Sequence, residues 1–370
     1  MHRTNFTDED TIAAVATPPG EGGIAIIRIS GKGAFKVLDK IFKRPDNGIV
    51  SDMESHRFYR GHIYDPNSEK ILDSVLCVLM KSPHSYTGEN VVEIHSHGGY
   101  LVPKKILDVI FRNGVRPAKA GEFTLRAFLN GKMDLSQAEA VADVVIAQTD
   151  ESLKQAELQL EGFLSSTVNK FKEVVLDILA EIEAQVDFPE DEIEPMVRDQ
   201  IVHRLKDLTI NMEQLLATYE EGRIIKHGVY TAILGKPNVG KSSLLNKLVM
   251  KDRAIVSHFP GTTRDFIEET LDVKGIPLKL VDTAGIRAAT DEIELIGVRL
   301  ARKKAEEAEL IIAVLDGSTD LDQNDIDVLE MVKDRKTVLV VNKIDLPQKL
   351  SVEPLISLLP RESIVSTSAK

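Results

Sequence analysis

One stretch, "GKPNVGKS" at residues 235–242, constrains the fold of this 370-residue chain more than any other feature. It fits the pattern G-x-x-x-x-G-K-[ST], follows the strand-like run "VYTAIL" and opens the helix-like run "SSLLNKLVM", which is the context that the pattern requires. Its glycines let backbone N–H groups surround phosphates, and the helix N-terminus adds positive potential. Lys241 is expected to reach the β- and γ-phosphates, and Ser242 to bind Mg²⁺. The stretch therefore predicts a phosphate-binding loop between a strand and a helix.

From Gly228 onward, apolar strand-like runs alternate with helix-like runs. This order indicates a mostly parallel sheet with helices on both faces. Three further motifs stand at the ends of predicted strands: "DTAG" at residues 282–285, "NKID" at 342–345 and "SAK" at 368–370. Four motifs in this order favour a Ras-like P-loop GTPase domain.

The chemistry of these motifs indicates GTP as the nucleotide. The Asp345 carboxylate can accept two hydrogen bonds from guanine, whereas adenine offers no such pair and would leave a buried carboxylate unmatched. Asn342 can bond the other edge of the base, Lys343 can pack over it, and a backbone N–H of the "SAK" segment can contact the guanine oxygen. Asp282 is placed to hold Mg²⁺ through water, and the Gly285 N–H to meet the γ-phosphate.

The loop "FPGTTRD" at residues 259–265 lies between the first and second of these motifs. Thr263 is the expected switch threonine that closes on Mg²⁺ when the γ-phosphate is present. The complete predicted GTP-binding set is Asn238, Val239, Gly240, Lys241, Ser242, Ser243, Ser257, Thr262, Thr263, Asp282, Thr283, Ala284, Gly285, Asn342, Lys343, Asp345, Ser368, Ala369 and Lys370.

The position after "DTAG" holds Ile286, where well-known GTPases have a glutamine that orients the attacking water. Isoleucine has no side-chain hydrogen-bonding group, so another residue must orient the water. Asn238 could bind a monovalent cation such as K⁺, with oxygens from residues 257–263 completing the shell, and this ion would replace the arginine charge of other systems. The remaining candidates are Asp291, Glu292 and Glu294 as the water-positioning carboxylate, and Arg264 and Arg287 as alternative charge donors.

Composition and charge restrict the class of protein. The net charge of −12 argues against binding nucleic acid over the whole surface, although it permits a local basic groove. No apolar run approaches the roughly 18 residues needed to cross a bilayer, and the N-terminus "MHRTNFTDED" has no apolar core, so we expect a cytoplasmic protein. Cys77 lies in the apolar run "SVLCVLM" and is expected to be a buried, unreactive thiol.

The pattern of the chain changes twice, which predicts an α/β and α multidomain architecture. Residues 1–130 mix short strand-like and helix-like runs. Residues 131–222 keep apolar positions at helical spacing with almost no Gly or Pro, apart from the acidic break "DFPEDEIEP", and we expect long antiparallel helices there. Residues 223–370 form the predicted G domain.

Nearly the whole length carries a family resemblance. The stretches "DTIAAVATPPGEGGIAIIRISG", "SYTGENVVEIHSHGG", "AGEFTLRAFLNGKMDLSQAEAVADVV" and "VDFPEDEIE", together with the GTPase motifs, are similar to those of the bacterial MnmE (TrmE) family, which modifies the wobble uridine of tRNA. The resemblance implies an N-terminal domain that is folate-binding-like, forms a homodimer and holds a 5-formyl- or methylene-tetrahydrofolate. The matching positions are Arg28, Glu93 and Lys132. From spacing alone, Glu93, His95 and His97 on one strand face would also suit a metal cluster.

The resemblance also implies a G domain activated by K⁺ and by pairing of two G domains. The matching positions are Asn238, Ser257, Phe259 and Thr262 for K⁺, with Ser242 and Thr263 for Mg²⁺ and Glu294 as the water-positioning catalytic residue. It further implies tRNA as substrate and a FAD-dependent partner of the MnmG (GidA) family that assembles with it into a heterotetramer.

Two rival functions remain: a switch GTPase for ribosome assembly, and a folate-dependent transferase that the GTPase merely regulates. The first does not account for "PPGEGGIAIIRISG". In the family the chain continues past "SAK" with the last G-domain helix, more of the helical domain and a cysteine-bearing tail, so we expect this sequence to be C-terminally truncated.

Overall fold

The computed structural model describes residues 10–187, 198–251, 268–281, 303, 305–351, 353–356 and 360–370. The chain divides into two compact units. The first comprises Met1–Ala142 and Leu160–Ser165, and the second comprises Asp143–Gln159 and Ser166–Lys370.

A seven-stranded sheet with the order β3-β4-β5-β6-β2-β1-β7 forms the N-terminal unit. All neighbouring strands are antiparallel except β1 and β7. The elements in chain order are β1 (Ile12–Val15), β2 (Ile24–Ser30), α1 (Ala34–Ile41), β3 (Phe42–Lys43), β4 (Phe58–Asp65), β5 (Lys70–Met80), β6 (Val91–His97), α2 (Leu101–Arg112), β7 (Arg116–Pro117) and α3 (Glu122–Leu129).

Successive side chains along each strand point to opposite faces of this sheet, and the face that carries the apolar side chains is buried. In β6, Val92 and Ile94 are fully buried, whereas Glu93 and His95 lie on the opposite, partly exposed face. Helices α1 and α2 pack their apolar stripes against the buried face. Cys77 is part of this core, as predicted, and burial raises the pKa of its thiol.

The described residues that follow form the helices α4 (Leu135–Ile146), α5 (Asp150–Leu160), α6 (Phe163–Asp187), α7 (Arg198–Ala217) and α8 (Tyr219–His227). The helical character of this region is confirmed, but the first periodic stretch is interrupted twice. Thr149 and Ser152 hydrogen-bond each other's backbone N–H and so begin α5. Gly162, at φ 86°, follows the end of α5 and is the second interruption. No helix among the described residues is both long enough and apolar enough to span a membrane.

A six-stranded sheet with the order β13-β12-β11-β8-β10-β9 carries the predicted nucleotide motifs. It is parallel except for the antiparallel edge strand β9, which confirms the mostly parallel prediction. The elements are β8 (Val229–Leu234), α9 (Lys241–Lys251), β9 (Glu268–Val273), β10 (Ile276–Val281), β11 (Leu310–Asp316), α10 (Gln323–Val332), β12 (Thr337–Asn342), α11 (Glu353–Ile356) and β13 (Ile364–Ser366).

Both faces of this sheet are buried by helices. Ala232 and Leu234 of β8 enter a core that includes α10, whereas Ile233 between them enters a second core that includes α9. Apolar residues on both sides explain why these strands are continuous hydrophobic runs.

Candidate functional site

The carboxyl ends of β8, β11 and β12 lie at one edge of the sheet because these three strands are parallel. The phosphate loop follows β8, Asp316 ends β11, and Asn342 ends β12. Open α/β sheets bind their ligands in the crevice beyond the carboxyl ends of the strands.

Two glycines allow the phosphate loop to pass close to its neighbours. A Cβ on Gly235 would lie 2.4 Å from the Val314 carbonyl oxygen, and a Cβ on Gly240 would lie 2.3 Å from Asn342 Nδ2. Both have positive φ, 150° and 98°. Asn238 between them also has positive φ, 66°, a conformation that asparagine tolerates better than most residues.

Lys241 begins α9 and its ammonium group lies within the loop. Its Nζ donates to the carbonyl oxygens of Gly235 and Lys236, each at 2.8 Å. Ser242 and Ser243 are exposed in the first turn of this helix. The exposed serines and the helix N-terminus suit an anion with its metal.

Asn342 joins three of the predicted motifs. Its side chain is buried, with 1% of the residue exposed. Nδ2 donates to the Val239 carbonyl oxygen at 2.8 Å, and Oδ1 accepts from the Ala369 N–H at 3.0 Å. The structure therefore places Asn342 as a brace between the phosphate loop and the "SAK" segment. Its contact with the base stays a prediction, for which one N–H and one lone pair remain.

Asp345 lies beside the "SAK" segment, as the motif order requires. It accepts a hydrogen bond from Ser368 Oγ at 2.8 Å and forms an ion pair with Lys370 Nζ at 3.0 Å. The Ser368 hydrogen bond and the Lys370 contact lower the pKa of Asp345. The carboxylate is thus ionised at neutral pH, which is the acceptor state that two guanine N–H donors need.

One residue of this edge was missed by the sequence reasoning. Asp316 Oδ2 pairs with Lys343 Nζ at 2.6 Å, and Lys343 has a φ of 64°. Burial tends to raise the pKa of Asp316, but the hydrogen bonds from Lys343 and Ser318 outweigh it, and the net shift is downward. The signal available in the sequence was an aspartate directly at the end of the apolar run "LIIAVLD".

The remaining predicted residues of the GTP site lie outside the described part of the chain. They are Ser257, Phe259, Thr262, Thr263, Asp282, Thr283, Ala284, Gly285 and Glu294, together with the alternatives Arg264, Arg287, Asp291 and Glu292.

In the N-terminal unit, the structure brings Arg28 and Glu93 together. They are cross-strand partners on β2 and β6, and Glu93 Oε1 accepts from Arg28 Nε at 2.8 Å and from Nη2 at 2.7 Å. The guanidinium carbon lies 5.1 Å from the ring centre of Tyr86 and 5.6 Å from that of Phe123. The ion pair and the two aromatic rings near its guanidinium group form a partly buried polar site.

Lys132 borders the same site through the loop that carries Tyr86. Its Nζ donates to the Pro83 carbonyl oxygen at 3.1 Å. The Tyr86 hydroxyl is 2.8 Å from Thr124 Oγ1, which ties the other side of this loop to α3.

The alternative metal cluster gains no support from the structure. His97 Nδ1 pairs with Asp73 at 2.7 Å, and His95 Nε2 lies 3.6 Å from Glu93 Oε2 and has no hydrogen-bond partner in the described part of the chain. Within the described ranges, no three His, Cys, Asp or Glu side chains are grouped to hold a metal ion.

Comparisons with known proteins show to which family the chain belongs. The family model described as GTP-binding protein TrmE N-terminus matches residues 11–132, and the MnmE helical domain model matches residues 135–370. The tRNA modification GTPase MnmE of Alkaliphilus oremlandii is 47% identical over 360 residues, which cover 97% of this chain and 78% of that protein. The protein of the same name from Clostridioides difficile is 48% identical over 361 residues, which cover 98% of this chain and 78% of that protein. The chain belongs to the MnmE family of tRNA modification GTPases.

Proposed function

We propose that this chain hydrolyses GTP as part of a cytoplasmic tRNA-modifying complex. The complex adds a (carboxymethyl)aminomethyl group to carbon 5 of the wobble uridine, with a one-carbon unit from tetrahydrofolate and with a FAD-dependent partner of the MnmG family. The observation that carries the GTPase part is the Asn342 brace, which joins the phosphate loop to the "SAK" segment beside Asp345.

Each end of the proposed GTP site has a distinct role. Lys241 leaves the loop carbonyls for the phosphates, which are stronger acceptors because they carry full negative charge. Asp345 accepts the two guanine donors, and Ser368 keeps its carboxylate in position. An ATP analogue would place no matching donor pair there, and the resulting unpaired carboxylate would reject it.

The residues fit the two proposed metal ions. Ser242 is exposed in the first turn of α9, where its hydroxyl is accessible to Mg²⁺, and Thr263 and Asp282 would complete that site. Asn238 is also exposed, and its side chain makes no hydrogen bond among the described residues, so its amide oxygen is available to K⁺. Ser257, Phe259 and Thr262 would supply the other oxygens. The ion would supply positive charge beside the phosphates, and Glu294 would orient the attacking water.

The N-terminal site fits a folate in its donor set. Glu93 Oε2 is outside the Arg28 hydrogen bonds, and it can accept from the donor edge of a pterin. Tyr86 and Phe123 offer flat apolar surfaces beside it, and Lys132 supplies a cation at the border. Tetrahydrofolate would supply the one-carbon unit. Dimerisation through this domain and the MnmG-type partner are part of the same proposal.

The first test is steady-state GTP hydrolysis in KCl and in NaCl at matched ionic strength. We expect the unaltered chain to hydrolyse GTP much faster in KCl than in NaCl, and Asn238→Ala to lose this difference. The affinity for GTP in NaCl should be the same in both proteins. Equal, slow rates of the unaltered chain in both salts would refute the cation mechanism and would require a partner that supplies an arginine.

A second variant tests the replacement of the missing glutamine. Glu294→Ala should abolish turnover and leave GTP binding intact, because the carboxylate acts on the water rather than on the nucleotide. Unchanged turnover would contradict the assignment. If Asp291→Ala or Glu292→Ala abolishes turnover instead, one of those residues holds the role.

A further inference from the structure

Lys236, the second residue of the phosphate loop (residues 235–242), places its ammonium group against acidic side chains outside the loop. Its Nζ forms ion pairs with Asp325 Oδ2 at 2.7 Å and with Asp322 Oδ2 at 2.9 Å. Asp325 lies in the first turn of α10 and Asp322 is its N-cap residue, and this helix follows β11 rather than β8. Lys236 therefore ties the loop to an element that is distant in sequence.

The N-terminus of α10 does not need Lys236 for its capping. Asp322 caps the helix by accepting from Asp325 N–H, and the Asp325 side chain accepts from Asp322 N–H in return. This capping box satisfies the helix N-terminus without a cation. A helix N-terminus also carries positive potential, so an ammonium group beside it is unfavourable unless the acids compensate.

Two contacts with other elements hold the loop among the described residues, and neither uses the phosphate-binding groups. Lys236 holds its first half against α10, and Asn342 holds its second half through the Val239 carbonyl oxygen. The Lys236 carbonyl oxygen is at the same time an acceptor for Lys241 Nζ. The ion pair of Lys236 thus holds in place the backbone carbonyl group that orients the Lys241 side chain. The Lys236 and Asp325 side chains are 14% and 4% exposed, so solvent screens this pair little.

We propose that Lys236 is a positioning residue that preorganises the phosphate loop for nucleotide binding through its ion pair with Asp325. This inference rests on the proposed GTPase function. Loss of the Lys236–Asp325 ion pair should lower the fraction of molecules whose phosphate loop is in the conformation that binds nucleotide. If that fraction falls to about a tenth, the apparent Kd rises about tenfold, because apparent affinity scales with the competent fraction. Turnover at saturating GTP should change little.

A merely structural role must be separated from a positioning role. Lys236→Met leaves the buried Asp325 carboxylate without its cation, so this variant is expected to lose stability as well as affinity. The double variant Lys236→Met/Asp325→Asn removes the buried charge and keeps nearly the same volume. We expect it to recover melting temperature but not nucleotide affinity, while Lys236→Arg keeps both.

The experiment measures the Kd for mant-GDP and mant-GTP by fluorescence titration on the full chain, together with KM, kcat and melting temperature. Arg223→Met is the matched control, since Arg223 pairs with Glu309 at 2.7 Å before the opposite end of β11 and should leave nucleotide affinity unchanged. A double variant that binds nucleotide as tightly as the unaltered chain would overturn the proposal. An unaltered chain that binds neither nucleotide would refute the GTPase function instead.

Discussion

Glu122 offers a test of how charge stabilises the N-terminal unit. It is the first residue of α3, and 1% of it is exposed. Its Oε1 accepts from Arg116 Nη2 at 2.6 Å and from Arg126 Nη2 at 3.2 Å, and its Oε2 accepts from Lys119 N–H at 2.7 Å and from Arg116 Nη1 at 3.1 Å. The perturbation is Glu122→Gln, which removes the charge and keeps the shape.

The magnitude follows from the pKa of this carboxyl group. Burial tends to raise the pKa, but the hydrogen bonds from Arg116, Lys119 N–H and Arg126 and the charge of Arg116 outweigh it and lower the pKa from 4.5 to about 2. A depressed folded-state pKa contributes stability that is present above the unfolded pKa and is lost as the pH falls toward the folded pKa. A shift of this size corresponds to about 3 kcal/mol at neutral pH, with about half remaining near pH 3.

The chain has no tryptophan, so a single introduced tryptophan can report on this unit alone. Phe35→Trp places the probe on α1 against the N-terminal core, and both proteins carry it. Urea unfolding at several pH values between 7 and 3 then gives the free energy of unfolding with and without Glu122→Gln. We expect a difference of about 3 kcal/mol at pH 7 that shrinks steadily below about pH 4.5, because the protonated glutamate resembles glutamine.

The matched control is Glu54→Gln in the same unit. Glu54 pairs with Arg57 on the surface, with 71% of its side chain exposed, and should change stability by less than about 0.5 kcal/mol at any pH. A Glu122→Gln difference that stays constant from pH 7 to pH 3, or one below about 1 kcal/mol at pH 7, would refute the reasoning.

Three further predictions follow from close contacts. Asn342→Ala leaves the buried Val239 carbonyl oxygen without its partner at a cost of about 1–3 kcal/mol, and the part-buried Ala369 N–H adds less; thermal melting and mant-GDP titration should detect lower stability and weaker binding. Gly240→Ala drives a methyl group toward Asn342 at a φ of 98°, so nucleotide binding should be lost while the circular dichroism spectrum is kept. Cys77 should react with DTNB only after urea unfolds the N-terminal unit, because the thiol is buried and burial raises its pKa; rapid labelling of the native chain would contradict this.

Much of the G domain could be predicted because each of its motifs coincides with a change of pattern. The runs before residues 235 and 342 are apolar and end in polar or glycine residues, and the strands β8 and β12 end at those points. The turn at residues 274–275, with φ values of 54° and 88°, is also visible in the sequence as "KG" between two alternating runs.

The side-chain partners could not be predicted from the same patterns. Asn342 was expected to act on the base, and only the parallel register of β8, β11 and β12 shows that its amide reaches the phosphate loop. The Arg28 pairing with Glu93 likewise depends on the antiparallel register of β2 and β6, which sequence spacing does not reveal. The interruption at Thr149 was missed because the helical period continues across it, and a hydroxyl cap is a weaker signal than Gly or Pro.

The two anchors of the phosphate loop have different consequences for the site. The Asn342 side chain is bonded to Val239 on one side and to Ala369 on the other, so one buried amide links the phosphate loop to the "SAK" segment. Lys236 connects the loop to α10, which has no predicted contact with the nucleotide. Coupling between two binding regions is reciprocal. If Asp345 recognises guanine as proposed, base binding should favour the phosphate-binding arrangement of the loop through Asn342, whereas the proposed role of Lys236 is to stabilise that arrangement whether or not a base is bound.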